Sequence, residues 1–249
     1  LRTIEHVREY VSAPDLFVVT GDLVLGARNA EVGYPRLPQL LERFRAEFDV
    51  PVLLALGNGD ATGPFRRIIL GESGSDLADR YYYSHVVEGL KVIVLDSHAE
   101  GQHYGDIDAE QLDWLRQELA VTPEMPHLLA LHHPPGTIVL GHDQAEVFNA
   151  DELAQVIDGH NVIGMLAGHY HLSQLTYLAG VPCAVTKGIC SSITWSDPRN
   201  MLHERKGGGY NLVHIRDDQM LVRFIDITSE RETLRWAEVD WHDQQPARD

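Results

Sequence analysis

Four apolar stretches of this chain end on residue types that hold metal ions. "FVVTGD" runs into Asp22, "VLLALGN" into Asn58, "HLLALHHPP" into His132 and His133, and "VIGMLAGHYH" into His169 and His171. A carboxylate can bridge two cations, while an amide oxygen and neutral imidazoles complete their coordination shells. That donor set suits two divalent or trivalent transition-metal ions (Mn, Fe, Zn or Co) better than Mg or Ca. Two such ions side by side bind a phosphoryl oxygen, activate water and stabilise an in-line displacement. Each stretch alone has a plainer reading. "TGD" and "GNGD" are ordinary turn sequences, and "HHPP" is a strand broken by prolines. His169 and His171 stand two apart, so in an extended segment they face the same way. Taken together, four ligand-bearing strand ends outweigh the four plain readings.

The elements that must position them follow from periodicity. Ile4, Val7 and Val11 repeat at helical spacing until Pro14. "LFVVT" is a short strand before Gly21-Asp22. Leu37, Leu40, Leu41, Phe44 and Phe48 mark a second helix, and "VLLAL" the strand that ends in "GNGD". "YYYSHVV" and "KVIVLDS" read as paired strands about a Gly89 turn. "AEQLDWLRQELA" is a helix with Leu112, Leu115 and Leu119 on one face, and "ADELAQVID" is another. After Gly180 the pattern turns to strands: "VPCAVTKG", then "GYNLVHI" and "QMLVRFIDI" about Asp217-Asp218. Strands alternating with helices, then a β-rich closing part, predict α/β layers. In such folds ligands gather outside the carboxyl ends of strands. No linker or repeat interrupts the chain, so residues 1–249 are expected to form a single domain.

Composition narrows the function. The chain has 249 residues and a net charge of -17. That charge argues against a nucleic-acid polymer or an anionic membrane as partner. No apolar run approaches a membrane span, and a cytoplasmic location is expected. Cys183 and Cys190 make no disulfide framework and are expected reduced, in apolar strand surroundings. Neither a G-x-x-x-x-G-K-[ST] loop nor a G-x-S-x-G elbow is present.

The motifs "GD", "GN-x-D", "HHPP" and "GHYH", in that order, resemble those of the calcineurin-like metallophosphoesterase superfamily. "LDSHAEGQHYGDIDAEQLDWL" and the "HHPP" spelling make the chain most similar to its class III cyclic-nucleotide phosphodiesterases and bacterial glycerophosphodiesterases. The resemblance implies a four-layer α/β/β/α sandwich of two mixed sheets around a dinuclear metal site. By matching positions it implies Asp22 as the bridging ligand, Asn58, His132 and His169 on the second metal, and His171 on the first. His133 is implied as a catalytic side chain that supports the site or faces the substrate. The resemblance also implies a first strand carrying Asp-x-His, expected in a segment before Leu1. The family's "GNH[DE]" reads "GNGD" here, so Gly59 replaces a His that contacts phosphate and helps protonate the leaving group. His98, His103, His142 and His203 could donate a proton instead, although each reads as a surface loop histidine.

The expected function is a metal-dependent phosphodiesterase acting on a small phosphoester, of the cyclic nucleotide or glycerophosphodiester type. A phosphomonoesterase on the same site is one alternative. A degenerate metal-binding homologue without catalysis is the other, because of Gly59. Specificity is expected to lie in two loops, "GTIVLGHDQAEVF" and "SSITWSDPRNMLHERKGGG". The second is read as a lid or a dimer contact, which leaves a homodimer open.

Overall fold

The computed structural model describes residues 2–11, 13–74, 77–136, 146–196, 201–227 and 233–238. Its main sheet has six strands: β3 (Tyr83–Val87), β4 (Leu90–Val94), β5 (His127–Ala130), β6 (Val162–Ala167), β7 (Gln174–Leu178) and β8 (Val181–Val185). Their spatial order is β3-β4-β5-β6-β8-β7. The four inner strands run parallel, and an antiparallel strand closes each edge. The inner strands read as continuous apolar runs because both faces of this sheet are covered. Side chains alternate between the faces: Ile93, Leu129 and Leu131 point into one core, and Val92, Val94, Leu128 and Ala130 into another.

The first core is roofed by helices α5 (Ala109–Val121) and α6 (Ala150–Ile157), through Leu112, Leu115, Leu119, Leu153, Val156 and Ile157. Asp108 caps α5 by accepting from the Gln111 amide at 2.9 Å, the expected use of an acidic residue at that position. The second core is shared with another β layer. It contains β1 (Phe17–Thr20), which pairs in parallel with β2 (Val52–Ala55), and the antiparallel hairpin β11 (Gly209–Arg216) and β12 (Gln219–Asp226). Gly164 on β6 admits the hairpin, since a Cβ there would lie 2.5 Å from the Met220 sulfur. Behind β1 and β2 lie α2 (Ala30–Gly33), α3 (Leu37–Phe48) and α4 (Thr62–Phe65), packed through Tyr34, Leu41 and Phe65. The layers are therefore α/β/β/α. Helix α1 (Arg2–Tyr10) buries Thr3, Ile4 and Val7. Among the described residues, no helix is long and apolar enough to cross a membrane.

The hairpin turns were legible. Glu88-Gly89 and Asp217-Asp218 both take positive φ at their two central residues, as tight two-residue hairpin loops require. Other expectations need correction. Much of "SSITWSDPRNMLHERKGGG" is not a loop. It forms strands β9 (Ser191–Ser196) and β10 (Met201–Lys206), paired from Met201↔Ser196 to Lys206↔Ser191, with β13 (Thr233–Glu238) on the far side of β10. His203 therefore lies on a strand. Strand β7 was also overlooked, although its Ala179-Gly180 turn has the same positive-φ pair. Cys183 is buried and Cys190 exposed, both unpaired, so only Cys183 has the apolar surroundings expected of both. His142, most of the loop at 136–148 and the terminal residues 242–249 lie outside the described residues.

The central strand gives a test of this packing. Leu129→Ala removes a fully buried side chain from the core under α5 and α6. It is expected to cost about 3 kcal/mol in urea unfolding. A loss under about 1 kcal/mol contradicts its place in a close-packed core.

Candidate active site

The parallel pairing of β1 with β2 brings their carboxyl ends side by side, and β5 and β6 end next to each other in the other sheet. The His132 ring spans the space between the two sheets. Its Nδ1 lies 2.6 Å from the Thr20 carbonyl oxygen. A carbonyl only accepts, so Nδ1 carries the proton and Nε2 is left with its lone pair. The ring fits because two glycines face it. A Cβ on Gly21 would fall 2.6 Å from Nδ1, and one on Gly57 would fall 2.7 Å from Cε1.

Around His132 Nε2 the other side chains converge. Asn58 Oδ1 lies 3.1 Å away, His169 Nδ1 3.1 Å and Asp22 Oδ1 3.5 Å. Asn58 Oδ1 and His169 Nδ1 are 2.9 Å apart. Asp22, His169 and His171 all have positive φ. Non-glycine residues rarely adopt that conformation, and it gathers at functional sites. Four of the five residues expected to hold metal thus form one cluster. His171 stands to one side, where its Nδ1 meets Ser191 Oγ at 3.2 Å.

His133 is also drawn into the group. Nitrogen atoms of His132, His133 and His169 lie within 4.8 Å of one another. His133 is fully buried, its Nδ1 is 3.0 Å from Ser97 Oγ, and its Nε2 has no hydrogen-bond partner. Burial holds the His132 and His133 imidazoles well below their usual protonation range, so both are neutral at physiological pH. Full burial fits a supporting position for His133 better than contact with substrate. His98 is not the surface residue expected. It is 9% exposed, donates its backbone N–H to Asp96 Oδ1 at 3.0 Å and turns Nδ1 toward Thr62 Oγ1 at 3.5 Å. His103 is exposed and His203 half-buried.

The second half of "GNGD" has a different task. Asp60 is buried, and its carboxylate accepts from Leu23 N–H at 3.0 Å, Gly57 N–H at 2.9 Å and the Tyr34 hydroxyl at 2.9 Å. It clasps the loop after β1 to the loop after β2. Burial pushes its carboxyl up to about 6, while these three donors pull it down. Gly59 gives its N–H to Asp22 Oδ1 at 2.7 Å. Tyr34, Asp60, Ser97 and Ser191 were not singled out as site residues. Only Asp60 carried a sequence signal, its place directly after the Asn58-Gly59 turn.

Comparison with known proteins gives the family. The calcineurin-like phosphoesterase family model matches residues 1–173. The chain belongs to the calcineurin-like phosphoesterase family. It is a phosphoesterase, a hydrolase. A "probable cyclic nucleotide phosphodiesterase" of Rhodococcus erythropolis is 38% identical over 84% of this chain and 68% of that protein. A "cAMP/cGMP dual specificity phosphodiesterase" of Mycobacterium tuberculosis is 34% identical over 88% of this chain and 68% of its own length. Among solved structures, a dimetal phosphatase from Danio rerio shares the fold at a TM-score of 0.60 and 16% identity, over 90% of this chain and 84% of that one.

The Asp60 clasp is testable apart from catalysis. Asp60→Ala strands two backbone N–H groups and the Tyr34 hydroxyl, and a buried unsatisfied donor costs about 1–3 kcal/mol. The variant is expected to lose about 3 kcal/mol in urea unfolding. A variant as stable as the parent shows that the two loops hold without the clasp.

Proposed function

We propose that this phosphoesterase is a metal-dependent phosphodiesterase whose substrate is a small diester of the cyclic-nucleotide type. The observation that carries the proposal is the convergence of Asp22 Oδ1, Asn58 Oδ1, His132 Nε2 and His169 Nδ1 at spacings of 2.9–3.5 Å. Atoms bound about 2.1 Å from one ion stand about 3.0–3.4 Å apart around an octahedron or tetrahedron. The donor set fits a transition-metal ion in spacing and in chemistry. His132 already presents a lone pair, because Thr20 holds the proton on its far side. A backbone carbonyl orienting a histidine ligand in this way is a common supporting feature of metal sites.

Asp22, Asn58, His132 and His169 would hold one ion, and Asp22 with His171 would contribute to a second, the metals being Mn, Fe, Zn or Co. Ions held there supply Lewis-acid polarisation of a phosphoryl oxygen and a water of lowered pKa. The protein's own groups keep this arrangement in place. The Gly59 N–H fixes the Asp22 carboxylate, Ser191 orients His171, and the Asp60 clasp keeps Asp22 beside Asn58. The phosphodiesterase functions named for the Rhodococcus and Mycobacterium relatives support a diester over a monoester. Gly59 favours a second reading, a site that binds metal and turns nothing over, because it offers no side chain to a leaving group.

Metal analysis with rates on bis(p-nitrophenyl) phosphate and p-nitrophenyl phosphate tests these readings. The diester is expected to turn over faster than the monoester. Asp22→Ala is expected to lose more metal than any other single change and to cut diester turnover by at least roughly 100-fold, since metal ions contribute several kcal/mol to such reactions. Equal metal content in the parent and Asp22→Ala removes the bridging assignment. Full metal content with neither ester cleaved favours the binding reading.

A further inference from the structure

The polar cluster has an aromatic flank that its hydrolytic chemistry leaves unused. Gly105, on the loop after β4, is packed against His133 so closely that a Cβ there would lie 2.6 Å from the ring. Two aromatic residues are attached to this point. Tyr104 precedes Gly105 in the chain. Phe148 donates its backbone N–H to the Gly105 carbonyl at 2.7 Å, and Val147 beside it donates to the carbonyl of Pro134, next to His133, at 3.1 Å. Val147 also bridges to Gly105 in a parallel β-contact and is itself buried. The two rings meet with centroids 5.9 Å apart and planes tilted by 45°. Phe148 is 81% exposed.

An apolar ring so open to water contributes little to folding, yet its backbone is fixed on both sides to the loops that carry the histidines. Gly105 touches His133, whose ring centroid lies 4.6 Å from that of His169. The Phe148 backbone is therefore joined to the cluster through one residue, Gly105, while its ring is open to water. A nucleobase, carried away from its phosphate by the ribose, needs a flat apolar surface at the edge of a phosphate site. Stacking on one aromatic side chain supplies it without regard to base identity, because every base has a π-face. A glycerol-type diester has no planar group to place there.

We infer that Phe148, backed by Tyr104, is the platform on which the base of a cyclic nucleotide stacks, so that this site selects nucleotide over glycerol diesters. The inference rests on the phosphodiesterase reading above and deepens it. The test uses the full chain with 3′,5′-cyclic AMP and glycerophosphoethanolamine as substrates, comparing Phe148→Ala and Phe148→Tyr with the parent. Phe148→Ala is expected to raise KM for cyclic AMP about tenfold, toward the low end of what base stacking supplies. Its kcat for cyclic AMP should stay within about twofold, as should its kcat/KM for glycerophosphoethanolamine. Phe148→Tyr, which keeps a ring, should restore the parent KM. Equal losses on both substrates, or an unchanged KM for cyclic AMP, overturn the platform. Calorimetric binding of AMP and ribose 5-phosphate decides the point even for a chain that cleaves neither substrate. The parent is expected to bind AMP about tenfold more tightly than ribose 5-phosphate, and Phe148→Ala to erase the difference. Equal binding of the two by the parent overturns the platform. A parent that cleaves neither substrate while keeping the AMP preference overturns the phosphodiesterase reading alone.

Discussion

One hydrogen bond between the two β layers sets the terms for the site: His132 Nδ1 to the Thr20 carbonyl, across 112 positions of sequence. It joins the end of β5 to the end of β1 and fixes the tautomer of the ring that crosses between them. Because Nδ1 must donate, Nε2 must accept, and the electron pair it presents points at Asn58, His169 and Asp22. Burial reinforces the choice by keeping this imidazole uncharged. A charged imidazole would have no lone pair for a metal. The bond forms only because the backbone comes close on both sides, which requires that residues 21 and 57 have no Cβ. The glycines of "TGD" and "LGN" are clearance for a side chain that lies far along the chain from both.

Around that contact the local strain and its support are complementary. Asp22, His169 and His171 each hold a left-handed backbone, which disfavours an ordinary L-residue by roughly 1–2 kcal/mol. Nearby bonds compensate. The Gly59 N–H binds the Asp22 carboxylate, and Leu23, its neighbour, is tied to Asp60. The backbone carbonyl of His171 accepts from Ile193 on β9, while the Ser191 hydroxyl meets its ring. The β9 strand, outside the main sheet, thus helps to hold the second histidine of "GHYH". The segment expected to act as a lid or a dimer contact includes a brace for the site.

Much of this was legible before the structure. The four strand ends announced themselves because buried parallel strands read as apolar runs and because the residues ending them share one chemistry. Turns such as Glu88-Gly89 were readable because they need positive φ. What escaped was set by long-range packing. Ser97 and Ser191 look like any other serines until the fold places them against His133 and His171. His98 is a loop histidine by sequence and a buried one in space, because its loop folds back to bridge with Gly105. Strand β9 mixes serine and threonine with Ile193 and Trp195, and its identity as a strand comes from pairing with β10. The alternation was present in the sequence, but Gly and Pro nearby spoke more loudly for a loop.

The glycine between Asn58 and Asp60 can now be accounted for. It is not required by backbone conformation, since the positive-φ residues do not include it. It is favoured by proximity. A Cβ at position 59 would lie 2.9 Å from Asp22 Oδ1 and 3.0 Å from the Val24 carbonyl oxygen, closer than carbon and oxygen ordinarily approach. The resemblance to the wider family implies a histidine at this position. In this chain the space where such a side chain would begin is bordered by the carboxylate that Gly59 itself binds through its N–H. Asn58 faces the histidines, Asp60 faces inward to the clasp, and Gly59 between them presents backbone alone. Three successive residues thus divide three tasks: an amide oxygen turned toward the histidines, orientation of a neighbouring carboxylate, and closure of the loop beneath both. The loop is held close to Asp22, where a side chain at position 59 would push the two apart.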